Sequence, residues 1–209
     1  MENVLDVYER PYDEDNPVIN LDESPKQLIG EKKNSFTDSK GIKYEDFEYE
    51  RKGVVDIYMI AEPKAGKRKV LIKDDHKSKT YAHVIRHIAE EMYPPEKYSR
   101  ITIVEDNLSS HKLSTLYEIM SPEEAREIIR RIEIVRTPPH GSWLNIAELE
   151  LSLLTRIGLD NRIDTKEMLE RKVKDWYQMR NDKIAKVNWT FTSKDARIKL
   201  KRLYPSFET

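Results

Sequence analysis

The chain contains no cysteine, so neither a disulfide framework nor a thiolate metal site is open to it. Long apolar runs are missing as well. The best, Val54-Val-Asp-Ile-Tyr-Met-Ile-Ala61, falls far short of a membrane span and carries Asp56. At the amino end, Glu2, Asp6, Glu9 and Arg10 stand where a signal peptide would place its apolar core, so an intracellular, soluble chain is expected. An excess of one charge is absent too: 37 basic residues against 38 acidic ones give −1. A balanced total does not advertise nucleic-acid binding, although a local basic stripe remains compatible with it. There is no internal repeat and no low-complexity segment.

What is present is enough for one sizeable core with an appendage: 209 residues, 38% of them hydrophobic. Residues 1–16 are acidic and rich in turn formers, and read as a linker or arm. Strands are expected at 18–21, at 44–51 and 54–61 with a turn at Lys52-Gly53, at 68–73, at 101–104 and at 132–135, with a polar loop over 26–43. Tyr81, Val84, Ile85, Ile88 and Met92 recur at helical spacing over residues 80–92. Ser121-Pro122 followed by Glu123 and Glu124 is a helix start, with an N-cap, proline at the first helical position and acids in the first turn. Residues 164–181 and 193–203 read as amphipathic and basic helices, with a short strand at 187–191 between them. The expected fold class is α/β, a mixed sheet of about five strands flanked by helices.

Three acids stand out by context. Ile101-Thr-Ile-Val104 suits a buried strand, yet it stops at Glu105-Asp106-Asn107, and a strand end of that kind is either an Asx-type turn or a working site. Val18-Ile-Asn-Leu-Asp22 is a second apolar run ending in an acid. Glu148 falls in the first turns of a helix that follows Thr137-Pro-Pro-His-Gly141. If the two strands are neighbours, Asp22, Asp106 and Glu148 converge, and carboxylates that close raise one another's pKa unless a cation joins them. Hard oxygen donors suit Mg²⁺ or Mn²⁺. Two ambiguities remain at this level. Asp22 competes with Glu23, which faces the other way on a strand. Glu148 competes with Glu150, because both flank the apolar face formed by Leu144, Ala147, Leu151 and Leu154.

Leu21-Asp22-Glu-Ser24, Val104-Glu-Asp106-Asn-Leu-Ser-Ser-His111 and His140-Gly-Ser-Trp-Leu-Asn-Ile-Ala-Glu148 together resemble the three signature blocks of the DDE transposases, in the bacterial insertion-sequence branch of the mariner superfamily. Ala61-Glu-Pro-Lys-Ala-Gly-Lys-Arg68 and the stretch from Trp189 to Pro205 extend the resemblance over nearly the whole chain, in order. The family pattern selects Asp22 and Glu148 from their rivals. The interval from Asp106 to Glu148 is 148 − 106 = 42 positions, longer than in eukaryotic mariner relatives.

The resemblance implies a ribonuclease-H-like catalytic domain over residues 17–160 with a helical extension, 161–209, packed on it. It implies two divalent ions, Mg²⁺ or Mn²⁺, held by Asp22, Asp106 and Glu148. The activity implied is cleavage and strand transfer at transposon DNA ends, by a homodimer on paired ends at the bacterial nucleoid. Family members carry helix-turn-helix modules before the first catalytic strand, and none is read here. The alternative is therefore an inactive remnant, or the second half of a split transposase acting only as an association module. Lys67, Arg68, Asn107, His111 and His140 are the candidate DNA contacts; for the two histidines a structural role weighs as much, and for the Lys64–Lys69 turn a solvated face weighs more. Trp143 and Trp189 are expected in the core rather than as base-stacking platforms.

Overall fold

The computed structural model describes residues 1–32, 36–44, 48–159 and 161–204. Its centre is a five-stranded sheet built from β1 (Val18–Glu31), β4 (Tyr49–Glu62), β5 (Lys67–Lys73), β6 (Ile101–Glu105) and β7 (Ile132–Arg136), in the order β5-β4-β1-β6-β7. β1, β4 and β5 are an antiparallel meander, whereas β6 and β7 add in parallel beyond β1. Parallel neighbours need a crossover, which is why helices stand between β5 and β6 and between β6 and β7. β2 (Phe36–Thr37) and β3 (Lys43–Tyr44) form a separate two-stranded ribbon within the stretch expected as a loop.

Strand alternation sorts the side chains into two cores. Ile19, Leu21, Tyr58, Ile60, Ile101 and Ile103 face α2 (Ser78–His87) and α3 (Pro122–Arg131). Val55, Ile57, Met59, Val70 and Ile72 face the other side, against α4 (Ile146–Leu153) and α5 (Lys166–Asp182). α3 begins as its sequence demands, with the Ser121 hydroxyl and the Glu124 carboxylate capping each other's backbone N–H groups. The exposed edge of β5 is closed by Asn181 at the end of α5, which accepts from the Arg68 N–H and donates to the Arg68 carbonyl at 2.8 Å each, as a further strand would. No helix of the described residues is long and apolar enough to cross a membrane.

Four expectations are corrected. Residues 1–16 are not a loose arm: α1 (Glu2–Glu9) buries Val4, Leu5, Val7 and Tyr8 against Val104, Leu144, Ile146 and Ala196 of α6 (Ser193–Lys199). An eight-residue helix does not stand alone in water, so its existence is a tertiary effect. β1 does not stop at Asp22 but continues to Glu31, because β4 pairs with it from Asn20 to Glu31. Lys52-Gly53 is not a turn between two strands. The register passes from Leu28↔Gly53 to Ile29↔Arg51, so β4 is one strand with a bulge, and Gly53 takes the positive φ of 113°; the part of that expectation on residues 45–47 lies outside the described residues. Residues 187–191 form no strand, and the basic helix ends at Lys199.

Candidate active site

β1 is flanked on both sides only over its first residues. It pairs with β6 from Val18↔Thr102 to Asn20↔Val104, and the two then separate. Asp22 lies two residues beyond Asn20 and Asp106 two beyond Val104, so parity carries both onto the same sheet face at the point where the sheet opens. Pro25 sits past this split, on a strand with one free edge, where a missing N–H is tolerated.

α4 is fastened over that opening. Asn145 is its N-cap: the amide oxygen accepts from Ala147 N–H at 3.1 Å, while the amide nitrogen donates to the Leu21 carbonyl at 2.9 Å. Asn20 reaches the same cap and the Tyr8 hydroxyl, and that hydroxyl donates to the Leu144 carbonyl at 2.6 Å. One side chain therefore binds the Leu21 carbonyl of β1, just past the last β6 pairing, and starts the helix that carries Glu148, one turn further on. A turn at Ser142–Leu144 precedes the cap and takes up part of the long Asp106–Glu148 interval.

Asp22, Glu23, Ser24, Ser142, Glu148, Ser152, Thr155 and Arg156 line a cleft of about 460 Å³. Within it, burial pushes the Asp22 carboxyl up to about 7, reinforced by the charges of Glu23, Asp106 and Glu148. One Glu148 oxygen is buried without a hydrogen-bond partner, as is one of Glu23. Among the described residues no basic side chain pairs with Asp22 or Glu148.

Asp106 is turned onto His111 instead. The imidazole is 1% exposed, lies 3.2 Å from Asp106 and 3.4 Å from Glu23, and stacks on Tyr81 with centroids 4.4 Å apart. Burial opposes its charged form, but the two carboxylates outweigh that and lift its pKa to about 10. The same contact holds Asp106 below the ordinary aspartate value. Behind it, the Tyr81 hydroxyl donates to Glu105 at 2.8 Å. With the side chains so placed, no group of three His, Asp or Glu among the described residues encloses a cation. The donors nevertheless fit a hard one: all are oxygens, one buried Glu148 oxygen is orphaned, and Asp22 has like charges as neighbours.

Glu150 is sharply different from Glu148. Arg68 grips it with two hydrogen bonds of 2.9 and 2.8 Å, and Arg180 adds a third at 3.1 Å, with Glu150 and Arg68 both buried. This removes Arg68 from the expected DNA contacts, because its guanidinium is spent inside the protein. His111 is likewise no surface contact, being buried among carboxylates. Lys67, Asn107 and His140 are exposed, His140 at a positive φ of 59°. Trp143, expected in the core, is 42% exposed. Sequence reading also passed over Asn20 and Tyr8, and took Tyr81 only as part of a helix face. The only signal for Asn20 was an amide in the middle of an apolar strand, which calls for a buried partner.

Residues 17–170 match the family model described as DDE superfamily endonuclease. The solved catalytic domain of Mos1 mariner transposase superposes with a TM-score of 0.52 at 12% identity, over 88% of this chain and 87% of that one. The Mos1 mariner paired end complex with Mn gives 0.56 at 16%, over 88% and 54%. The Mos1 transposase paired-end complex with left transposon end gives 0.55 at 14%, over 88% and 55%. This chain thus spans about half the length of the proteins in those complexes. No curated protein matches it in sequence. At such identities the likeness is one of fold: the mixed sheet and its helices are the ribonuclease-H-like fold of that catalytic domain.

Proposed function

Because this chain belongs to the DDE superfamily endonuclease family, we propose that it is the catalytic domain of a transposase, with Asp22, Asp106 and Glu148 as the ligands of Mg²⁺ or Mn²⁺. The observation that carries the reading is the pair Asp22 and Glu148, facing one cleft with no basic partner among the described residues, at the split between β1 and β6 and under α4. Two bound ions would supply activation of the attacking oxygen and charge for the leaving oxygen of an in-line phosphodiester displacement. The protein's part is to hold the donors. Parity along β1 and β6 sets Asp22 beside Asp106, and the Asn145 cap sets Glu148 above them. A side-chain rotation of Asp106 away from His111 completes the set. Glu23 lies on the opposite strand parity and holds His111, so it is a neighbour and not a ligand.

Water as the nucleophile gives strand cleavage; a freed 3′-hydroxyl gives strand transfer. The DNA ends of a transposon are the substrate in this reading, and a dimer would present one cleft to each end. Lys67, Asn107 and His140 are the exposed candidates for backbone contact. In this reading residues 17–160 are the catalytic unit and 161–209 its extension; among the described residues α5 packs on the sheet and α6 on α1.

The test uses the whole chain with DNA carrying transposon ends and Mn²⁺, read as nicking and joining on a sequencing gel. D106N is expected to lower both to background and to weaken Mn²⁺ binding measured by calorimetry. Nicking by D106N at the wild-type rate would remove Asp106 from the site and the reading with it.

A further inference from the structure

The rings of Trp143, Trp189 and Phe191, reached one residue after Ser142 of the cleft, have no part in the chemistry above. Trp143 is one residue from Ser142, which lines the cleft, and lies on the turn that leads into α4 and Glu148. Its indole is near-parallel to Trp189, with centroids 6.4 Å apart at 20°, and edge-on to Phe191 at 5.8 Å and 75°. Trp189 in turn packs on Tyr8 at 5.1 Å, and its indole N–H is spent on the Phe191 carbonyl. A scattered exposed apolar side chain needs no explanation. This one is different: neighbouring rings fix it, its chain neighbour Ser142 lines the carboxylate cleft, and two fifths of its surface faces solvent.

Two physical features say what it fits. A ring already immobilised loses little entropy when a flat partner settles on its open face. Lys199 Nζ lies 5.4 Å from the Phe191 centroid while paired with Asp195 at 3.3 Å, and the same α6 presents the exposed Lys194, so basic side chains stand near the rings. Aromatic faces combined with basic side chains seat the bases and backbone of unpaired nucleic acid.

We propose that Trp143 is a stacking platform for one unpaired nucleobase of the DNA strand that runs through the cleft. Trp189 and Phe191 are positioning residues that hold its indole. The proposal rests on the nuclease reading and adds a base subsite to it. Duplex DNA hides its base faces, so the occupant is a base at a frayed or overhanging end, or one turned out of the stack.

The experiment is a binding titration of the full chain in Ca²⁺, with a DNA duplex bearing a short single-stranded overhang and an otherwise identical duplex whose overhang is abasic. Wild type is expected to prefer the intact overhang by on the order of tenfold or more. W143A is expected to bind the two probes alike, and W143F to keep most of the preference; melting curves of both variants show whether the ring cluster still folds. Equal binding of both probes by wild type overturns the proposal, as does an undiminished preference in W143A. Mn²⁺-dependent nicking, measured alongside, reports on the carboxylates separately. Base preference without any nicking upholds the stacking subsite and overturns the nuclease reading instead.

Discussion

α4 carries two glutamates two residues apart whose surroundings are opposites. Glu150 is enclosed by the guanidinium groups of Arg68 and Arg180, and both of its oxygens accept from them. Glu148 faces Asp22 across a cleft and leaves a buried oxygen with no partner. Residue type and helix are the same, and although Glu150 is the more deeply buried of the two, the decisive difference lies in which neighbours bring positive charge. A carboxylate that the chain itself neutralises is part of the fold; one that the chain leaves beside other carboxylates is prepared for a cation from outside.

Exchange of roles between the two is therefore excluded, and paired substitutions test this. E148Q is expected to abolish Mn²⁺-dependent nicking while leaving denaturant stability unchanged or higher, since it removes a charge from a repulsive cluster. E150A is expected to cost about 3–5 kcal/mol in urea denaturation, the penalty for leaving a buried ion without its partner. If E150A proved as stable as wild type while E148Q unfolded, the comparison would be inverted. The cleft should also respond to its cation. Divalent metal at roughly a hundred times its Kd adds about 2.7 kcal/mol to the stability of wild type, about 5–10 °C in melting temperature. E148Q should show almost none of that rise.

The link between the two regions is Asn145, which starts α4 and ties it to Leu21. N145A removes the cap and orphans a buried carbonyl, with an expected loss of about 1–2 kcal/mol. Its effect on nicking should exceed what that stability loss explains, because Glu148 hangs on the helix so fixed. A variant with lowered melting temperature and full nicking at low temperature would make Asn145 a cap and nothing more.

The sequence made some of this legible and hid the rest for identifiable reasons. β6 is a run of β-branched residues and α3 opens on Ser121-Pro122, so local chemistry and tertiary structure agree there. The continuation of β1 was hidden because Asp22-Glu-Ser-Pro25 is turn vocabulary, and only pairing with β4 overrides it. Gly53 signals a break of some kind, but a bulge and a hairpin turn share that signal until the register is known. Glu148 and Glu150 were inseparable by helical geometry, because the residue that separates them, Arg68, lies 82 positions away. The same fact misassigned Arg68: a basic turn looks like a phosphate contact until its acid is found. α1 depends on α6 from the far end of the chain, which no window along the sequence can contain.

That last contact is the mildest counterpart of the Glu150 knot, and it differs in being exposed to water. Arg197 donates twice to Glu2 at 2.8 Å, and the Tyr204 hydroxyl donates to it at 2.9 Å. The Arg197 hydrogen bond comes first among the causes that bring the Glu2 carboxyl down to about 2, with Tyr204 second. The folded value lies below the ordinary one, so the contribution is complete above about pH 4.5 and is lost as the pH falls through about 2. Acidification across that window should loosen α6 from α1, seen as a fall in the near-ultraviolet circular dichroism of the Tyr8–Trp189–Trp143 rings. E2Q should already sit at the weakened level at neutral pH and fall less than wild type across the window, the remainder coming from Asp195, which caps α6, and from Asp6 and Glu9, which accept from Ser193. Salt sharpens the contrast: at 1 M the screening length is about 3 Å, so the Glu2 clamp weakens in wild type while the enclosed Glu150 pair hardly responds. Equal salt sensitivity of E2Q and wild type would show that apolar packing alone holds α1 and α6 together.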